Sequence, residues 1–118
     1  MEFFAPSLKQ DILLGEYDLT HIMQNHLGQK EDKSYFTHDP VSVIQNAAGK
    51  IDAIYFQTNQ REKVLGFYDM KQAIGYDPKK TRWCRKLVLV LVECNKKKRI
   101  ITAYPAWRSP RQSQVRKK

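Results

Sequence analysis

No part of this chain stays apolar for long. The longest uninterrupted run, Leu87 to Val92, is six residues, where a membrane span needs ~20. The acidic opening Met1-Glu2 has neither the charged start nor the apolar stretch of a signal peptide, so no targeting segment and no membrane partner are expected. Cysteine is scarce as well. Cys84 and Cys94 are the two present, and they flank what reads as one extended strand, whose rise of ~3.3 Å per residue holds them beyond bridging distance. Both are expected as free thiols. A Gly-rich phosphate loop, a zinc knuckle, an RNA-recognition signature, an internal repeat and an interdomain linker are also missing. With no ligand cluster at metal-binding spacing, no metal and no cofactor are expected.

What is present suffices for one folded domain. The 118 residues are 42% hydrophobic and 11% aromatic, enough to offset the entropy of ordering a single modest core. Lys and Arg number 21 against 12 acidic residues, a net charge of +9 that calls for an anionic partner. Five of those cations (Arg108, Arg111, Arg116, Lys117 and Lys118) lie in the final stretch RSPRQSQVRKK, which holds no acid and a single aliphatic residue. Residues 1–107 therefore read as the domain and 108–118 as a basic, disordered tail. Most of the remaining positive charge lies between Lys79 and Arg99, on both sides of the apolar run. Solvated strand ends would account for that placement equally well.

Helix signals come first. Ser7-Leu-Lys-Gln10 is a capping-box pattern with Leu8 and Ile12 on one face and Gly15 as a stop. Asp18 can cap a second helix over Leu19 to Leu27, closed by Gly28. Asp39-Pro40 starts a third, lined by Val41, Ile44 and Ala48 and ended by Gly49. Ile51 to Gln57 fits helical and alternating templates alike. From there the pattern is extended: Lys63 to Asp69, Ala73 to Asp77, Arg85 to Glu93 and Arg99 to Tyr104, joined by short polar connections. The expected fold is α+β, with N-terminal helices on one face of an antiparallel sheet of four or more strands, and the run Leu87 to Val92 as a central strand covered on both faces.

His21 and His26 share the second helix. At about 100° per residue they stand roughly 140° apart, which rules out one shared metal ion on a regular helix. His26 falls among Ile22, Met23 and Leu27; His21 falls with Asp18 and Asn25 on the polar side. His26 is also in the last turn, where the helix's negative end favours an imidazolium. A core histidine bonded to a carbonyl is the plain alternative. In RIITAYP, alternation puts Ile100, Thr102 and Tyr104 on one face and Ile101 with Ala103 on the other, the small apolar face expected to pack on the core. Two hydroxyls beside cations are what a phosphate site needs, although Thr and Tyr are also ordinary strand residues.

These pieces together resemble a family. A helix carrying H-I-x-x-x-H (His21 to His26), an I-G-Y-D segment (Ile74 to Asp77) and a last strand ending I-T-A-Y-P (Ile101 to Pro105) are similar to the toxin ribonucleases of the barnase, EndoU, colicin D and RelE group. The resemblance covers roughly Leu19 to Pro105. It implies metal-independent cleavage of RNA, tRNA among the candidates, by attack of the 2′-hydroxyl, leaving 2′,3′-cyclic phosphate and 5′-hydroxyl ends. It also implies an acidic immunity protein or antitoxin as partner, action in the cytoplasm, and delivery into a target cell as a C-terminal toxin domain. The expected catalytic residues are His26 first and His21 second, with Thr102 and Tyr104 at the scissile phosphate. Arg85 is the leading cation, with Lys86, Arg82 and Arg99 behind it. His38 has no expected role. Two other readings stay open: a non-catalytic RNA- or DNA-binding module using exposed Phe67, Tyr68, Tyr76 and Trp83, and a toxin that cuts mRNA only on the ribosome.

Overall fold

The run Leu87 to Val92 takes the place its composition demands, at the middle of the largest sheet. A computed structural model describes residues 1–5, 9–29, 31–48, 50, 53–57, 60–108 and 115–117, with 48, 53–57, 60–62 and 115–117 described by their backbone alone. In chain order the elements are β1 (Glu2–Ala5), β2 (Gln10–Leu13), α1 (Glu16–His26), β3 (Tyr35–Phe36), α2 (Pro40–Ala48), β4 (Ala53–Gln57), β5 (Gln60–Asp69), β6 (Gly75–Asp77), β7 (Arg82–Cys84), β8 (Lys86–Cys94), β9 (Lys97–Ala106) and β10 (Val115–Lys117). The described strands form a seven-stranded sheet in the order β1-β2-β9-β8-β5-β4-β10 and a three-stranded sheet, β3-β6-β7.

The class is α+β, but the large sheet is mixed. β2 runs parallel to β9 through Ile12↔Lys98 and Leu13↔Arg99, while the other pairings are antiparallel. The expected first helix is overturned where it is described: Gln10–Leu13 is a strand, and Ser7 and Leu8 lie outside the described residues. Pairing of all four residues with β1, and of Ile12 and Leu13 with the distant β9, outweighs a local capping pattern. Ile51 to Gln57 resolves as a strand from Ala53 onward. Within the expected tail, Val115–Lys117 pairs with β4, and residues 109–114 and 118 lie outside the described residues.

Both faces of β8 are covered. Leu87, Leu89 and Leu91 join Ile100 and Ala103 of β9, Ile22 of α1 and Val43, Ile44 and Ala47 of α2 in the main core, so both helices lie on that face. Val88 and Val90 point the other way, into a second cluster with Leu65 and Phe67, against which Ile101, Tyr104 and Ala106 pack. A fully buried aliphatic side chain such as Ile22 or Ile44 contributes about 1.5–3 kcal/mol. The helix starts differ in their chemistry. Asp39 caps α2, its carboxylate accepting bonds from the Val41 amide at 3.3 Å and the Ser42 hydroxyl at 3.0 Å. The stop expected at Gly49 lies outside the described residues. In α1, Gly15 occupies the cap position. Asp18, expected as the cap, is instead buried in an ion pair with Arg99 Nε at 3.1 Å, which ties the helix to β9.

Two local features set the geometry that matters below. The register between β8 and β9 slips after Val90, which faces Thr102 while Leu91 faces Ile100. Ile101 is therefore a bulge residue without a partner of its own. Ile100 and Ala103 share the helix-covered face, and Thr102 and Tyr104 share the other. The expectations that Ile101 would join Ala103 in the main core, and that Ile100 would share the face of Thr102 and Tyr104, are corrected by this one extra residue. The second feature is Gly75. A side chain there would collide with the Tyr35 carbonyl and come within 2.5 Å of Pro105 Cγ, so glycine lets the small sheet dock directly on the end of β9. Gly75→Ala should therefore cost at least the 1–3 kcal/mol typical of overpacking, about that much or more because one of the obstructing atoms is backbone. Denaturant midpoints check this, and a variant as stable as the parent would show that the two sheets have room to part.

Candidate functional site

α1 ends at His26, the chain turns through Gly28 with φ +79°, and Leu27 bridges Phe36 of β3. This return brings the Ser34 carbonyl to the ring of His26, whose Nδ1 donates to it at 2.9 Å. In a neutral ring this bond places the proton on Nδ1. It is the carbonyl bond a structural histidine makes, and it is also the arrangement that orients a histidine base. The same ring lies 5.8 Å from the ring of Tyr104, centroid to centroid, with the planes tilted by 32°. β2 pairs with β9 only at Lys98 and Arg99, so further along, at Tyr104, that margin of β9 has no strand partner among the described residues and the end of α1 can reach it.

Burial raises the pKa of Tyr104 above its ordinary value, so its phenol stays protonated and able to donate. Two residues back on the same face, the hydroxyl oxygen of Thr102 is buried and has no hydrogen-bond partner among the described residues. Leaving a buried hydroxyl unpaired costs roughly 1–3 kcal/mol. That unmet bond lies two residues from Tyr104 on the same strand face.

Register decides among the cations. Lys86↔Ala106 and Val88↔Tyr104 place Lys86 on the face of Tyr104 and Thr102, opposite Asp69 of β5. Arg85, expected to lead, precedes β8, is exposed and pairs with Asp69 at 3.4 Å. Lys86 thus shares the face of the two hydroxyls. Arg82 turns away from Trp83, its guanidinium 4.6 Å from the centre of the Trp107 ring. Arg99 is engaged with Asp18.

His21 is exposed on the outer side of α1. Its Nδ1 accepts from Asn25 Nδ2 at 3.1 Å, and Asn25 is held in turn by Lys33. The structure thus separates the two histidines, as their helical angle implies, and brings only His26 to Tyr104. His38, exposed in its loop, lies 3.2 Å from the Thr37 hydroxyl. Among the described residues no group of three or more His, Cys, Asp or Glu side chains could hold a metal ion. Of the four aromatics expected to be exposed, Phe67 is buried and Tyr68 packs against the main core; Tyr76 and Trp83 are on the small sheet. The residue missed was Tyr35, which opens the two-residue strand β3, too short for any alternation to mark it.

Comparison with known proteins brings no match: no family model, no curated protein and no solved structure matches this chain. What the site does must be read from its geometry.

Two measurements bear directly on that geometry. Because Tyr104 ionises above the ordinary tyrosine value of ~10, the unfolded chain loses this proton first. The stability it contributes is intact below about pH 10 and is lost as pH rises through the folded-state pKa. Phenolate absorbance should show a tyrosine titrating late, missing from Tyr104→Phe; an unchanged late component in that variant would assign it elsewhere. Thr102→Val removes an unpaired hydroxyl while keeping the shape. It should leave melting temperature unchanged or raise it by a few degrees, whereas a marked loss of stability would mean that the hydroxyl is bonded.

Proposed function

We propose that this chain is a metal-independent endoribonuclease of the toxin kind suggested by its motifs. The observation that carries the reading is the approach of His26 to Tyr104, beside the unpaired Thr102 hydroxyl and Lys86 on one sheet face. With Nδ1 bonded to Ser34, the Nε2 lone pair of His26 takes the proton of the RNA 2′-hydroxyl. The 2′-oxygen bonds to phosphorus as the bond from phosphorus to the 5′-oxygen breaks. Tyr104 protonates the leaving oxygen, and Thr102 donates to a nonbridging oxygen while Lys86 offsets the charge that develops there. Cyclic phosphate and 5′-hydroxyl ends result, and a proton passed from His26 back to Tyr104 resets the site.

The net charge of +9 suits RNA and, equally, an acidic immunity protein or antitoxin that would cover the same face. No helix among the described residues is long and apolar enough to cross a membrane. Cytoplasmic action after delivery as a toxin domain belongs to the same proposal, and so does the choice between free RNA, tRNA and ribosome-bound mRNA. A second reading, a non-catalytic module binding RNA, is favoured by the aromatic face of the small sheet.

The test is incubation with total RNA and with translating ribosomes in EDTA, followed by end-group analysis. Cyclic phosphate ends are expected from the parent. His26→Asn keeps a donor near the Ser34 carbonyl and lacks the second ring nitrogen, so it should fold normally and lose ~10²–10⁴ in rate. Cleavage that requires added magnesium or zinc, or that survives in a folded His26→Asn protein at the parental rate, would overturn the mechanism.

A further inference from the structure

The small sheet carries its own surface. Its register places Tyr35 opposite Tyr76 and Tyr76 opposite Trp83, so these aromatics line up across the three strands. Ring centroids are 6.1 Å apart in the first pair and 5.1 Å in the second, with interplanar angles of 51° and 72°. Their strand neighbours Phe36, Gly75 and Cys84 point the other way and are buried. The aromatic row is therefore the outer face, half-buried at Tyr35 and Tyr76 and 65% exposed at Trp83. A tryptophan held open on a rigid sheet keeps a large apolar area in water, a cost that a ligand would recover.

The charge around the row indicates which ligand. The turn between β6 and β7 carries Lys79 and Lys80, both exposed, their backbone amides donating to the Asp77 carboxylate at 3.0 and 3.2 Å. Among the described residues neither lysine forms an ion pair. Aromatic rings in a row, tilted to one another and with Trp83 open to solvent, beside unpaired cations suit alternating bases and phosphates. The row also has a direction. Tyr35 follows Ser34, whose carbonyl holds the His26 ring, so a strand laid along the row ends at the corner of His26 and Tyr104.

We propose that Tyr35, Tyr76 and Trp83 form a stacking platform for unpaired bases of a single-stranded nucleic acid, with Lys79 and Lys80 on its phosphates. The proposal rests on the ribonuclease reading for the identity of the strand as RNA. Duplexes are excluded because their base faces are already stacked. The platform therefore selects unpaired segments such as loops and ends.

The probe is a short single-stranded oligodeoxynucleotide, which has no 2′-hydroxyl and cannot be cleaved by the proposed route. It should quench tryptophan fluorescence and bind more tightly than its duplex. Trp83 is exposed, so Trp83→Ala should fold as the parent does and weaken binding roughly 5- to 150-fold, with Trp83→Phe between the two. Replacing Lys79 and Lys80 by Gln should flatten the logarithmic salt dependence by about 0.7 for each phosphate that is no longer neutralised. Equal binding by Trp83→Ala and the parent, or equal affinity for duplex, would overturn the platform, as would a face that takes up an acidic protein and ignores the oligonucleotide. The two proposals fail separately. A protein that cleaves no RNA yet shows Trp83-dependent binding keeps the platform and loses the nuclease. One that cleaves RNA with Trp83→Ala binding as the parent does keeps the nuclease and loses the platform.

Discussion

One extra residue in β9 sets the chemistry of both sheet faces. With strict alternation, Ile100 would share a face with Thr102 and Tyr104, and the apolar residue or the two hydroxyls would be misplaced. The bulge at Ile101 lets Ile100 and Ala103 enter the helix-covered core while Thr102 and Tyr104 turn to the opposite side. A bulge leaves ladder bonds unmade, and it persists here because burial on one face and the second cluster on the other each reward the shifted register.

The rest of the site is assembled around that strand by contacts that leave little freedom. Asp18 and Arg99 fix α1 against β9, the Ser34 carbonyl sets the ring of His26, and Gly75 lets the small sheet close on Pro105. Arg82 adds a further tie, its guanidinium stacked on Trp107 just past the end of β9. These contacts place a histidine, a neutral phenol and an orphaned hydroxyl at one margin of the large sheet, with a row of aromatic rings leading toward it. Cys84, by contrast, is buried and its thiol is pushed up to about 12, which makes it an inert packing group.

Much of this is legible in the sequence, and the exceptions share one cause. The periodicity of α1, the Asp39-Pro40 start of α2, the apolar run of β8 and the co-facing of Thr102 with Tyr104 are local patterns, and the fold keeps them. What sequence reading misses depends on partners far along the chain. Gln10–Leu13 looks helical until β9 pairs with it; Asp18 looks like a cap until Arg99 reaches it. Lys86 and Arg85 are neighbours that only the register of β8 against β5 and β9 can rank. Ala73 to Asp77 reads as one extended segment, but only its last three residues are strand, and they belong to a second sheet that no alternation pattern could announce.

The connection between β8 and β9 bears on how the molecule assembles. It is a two-residue loop, Asn95-Lys96, with both residues in the left-handed region at φ 49° and 64°. That is the backbone of a hairpin turn matched to the twist of its strands. Hairpins of this kind close in about 1–10 μs. The parallel pairing of β2 with β9 and the docking of β10 on β4 must each wait for distant segments to meet. The hairpin that contains the bulge is thus a local unit of the chain, and it sets which way Thr102 and Tyr104 face without needing α1 or the small sheet.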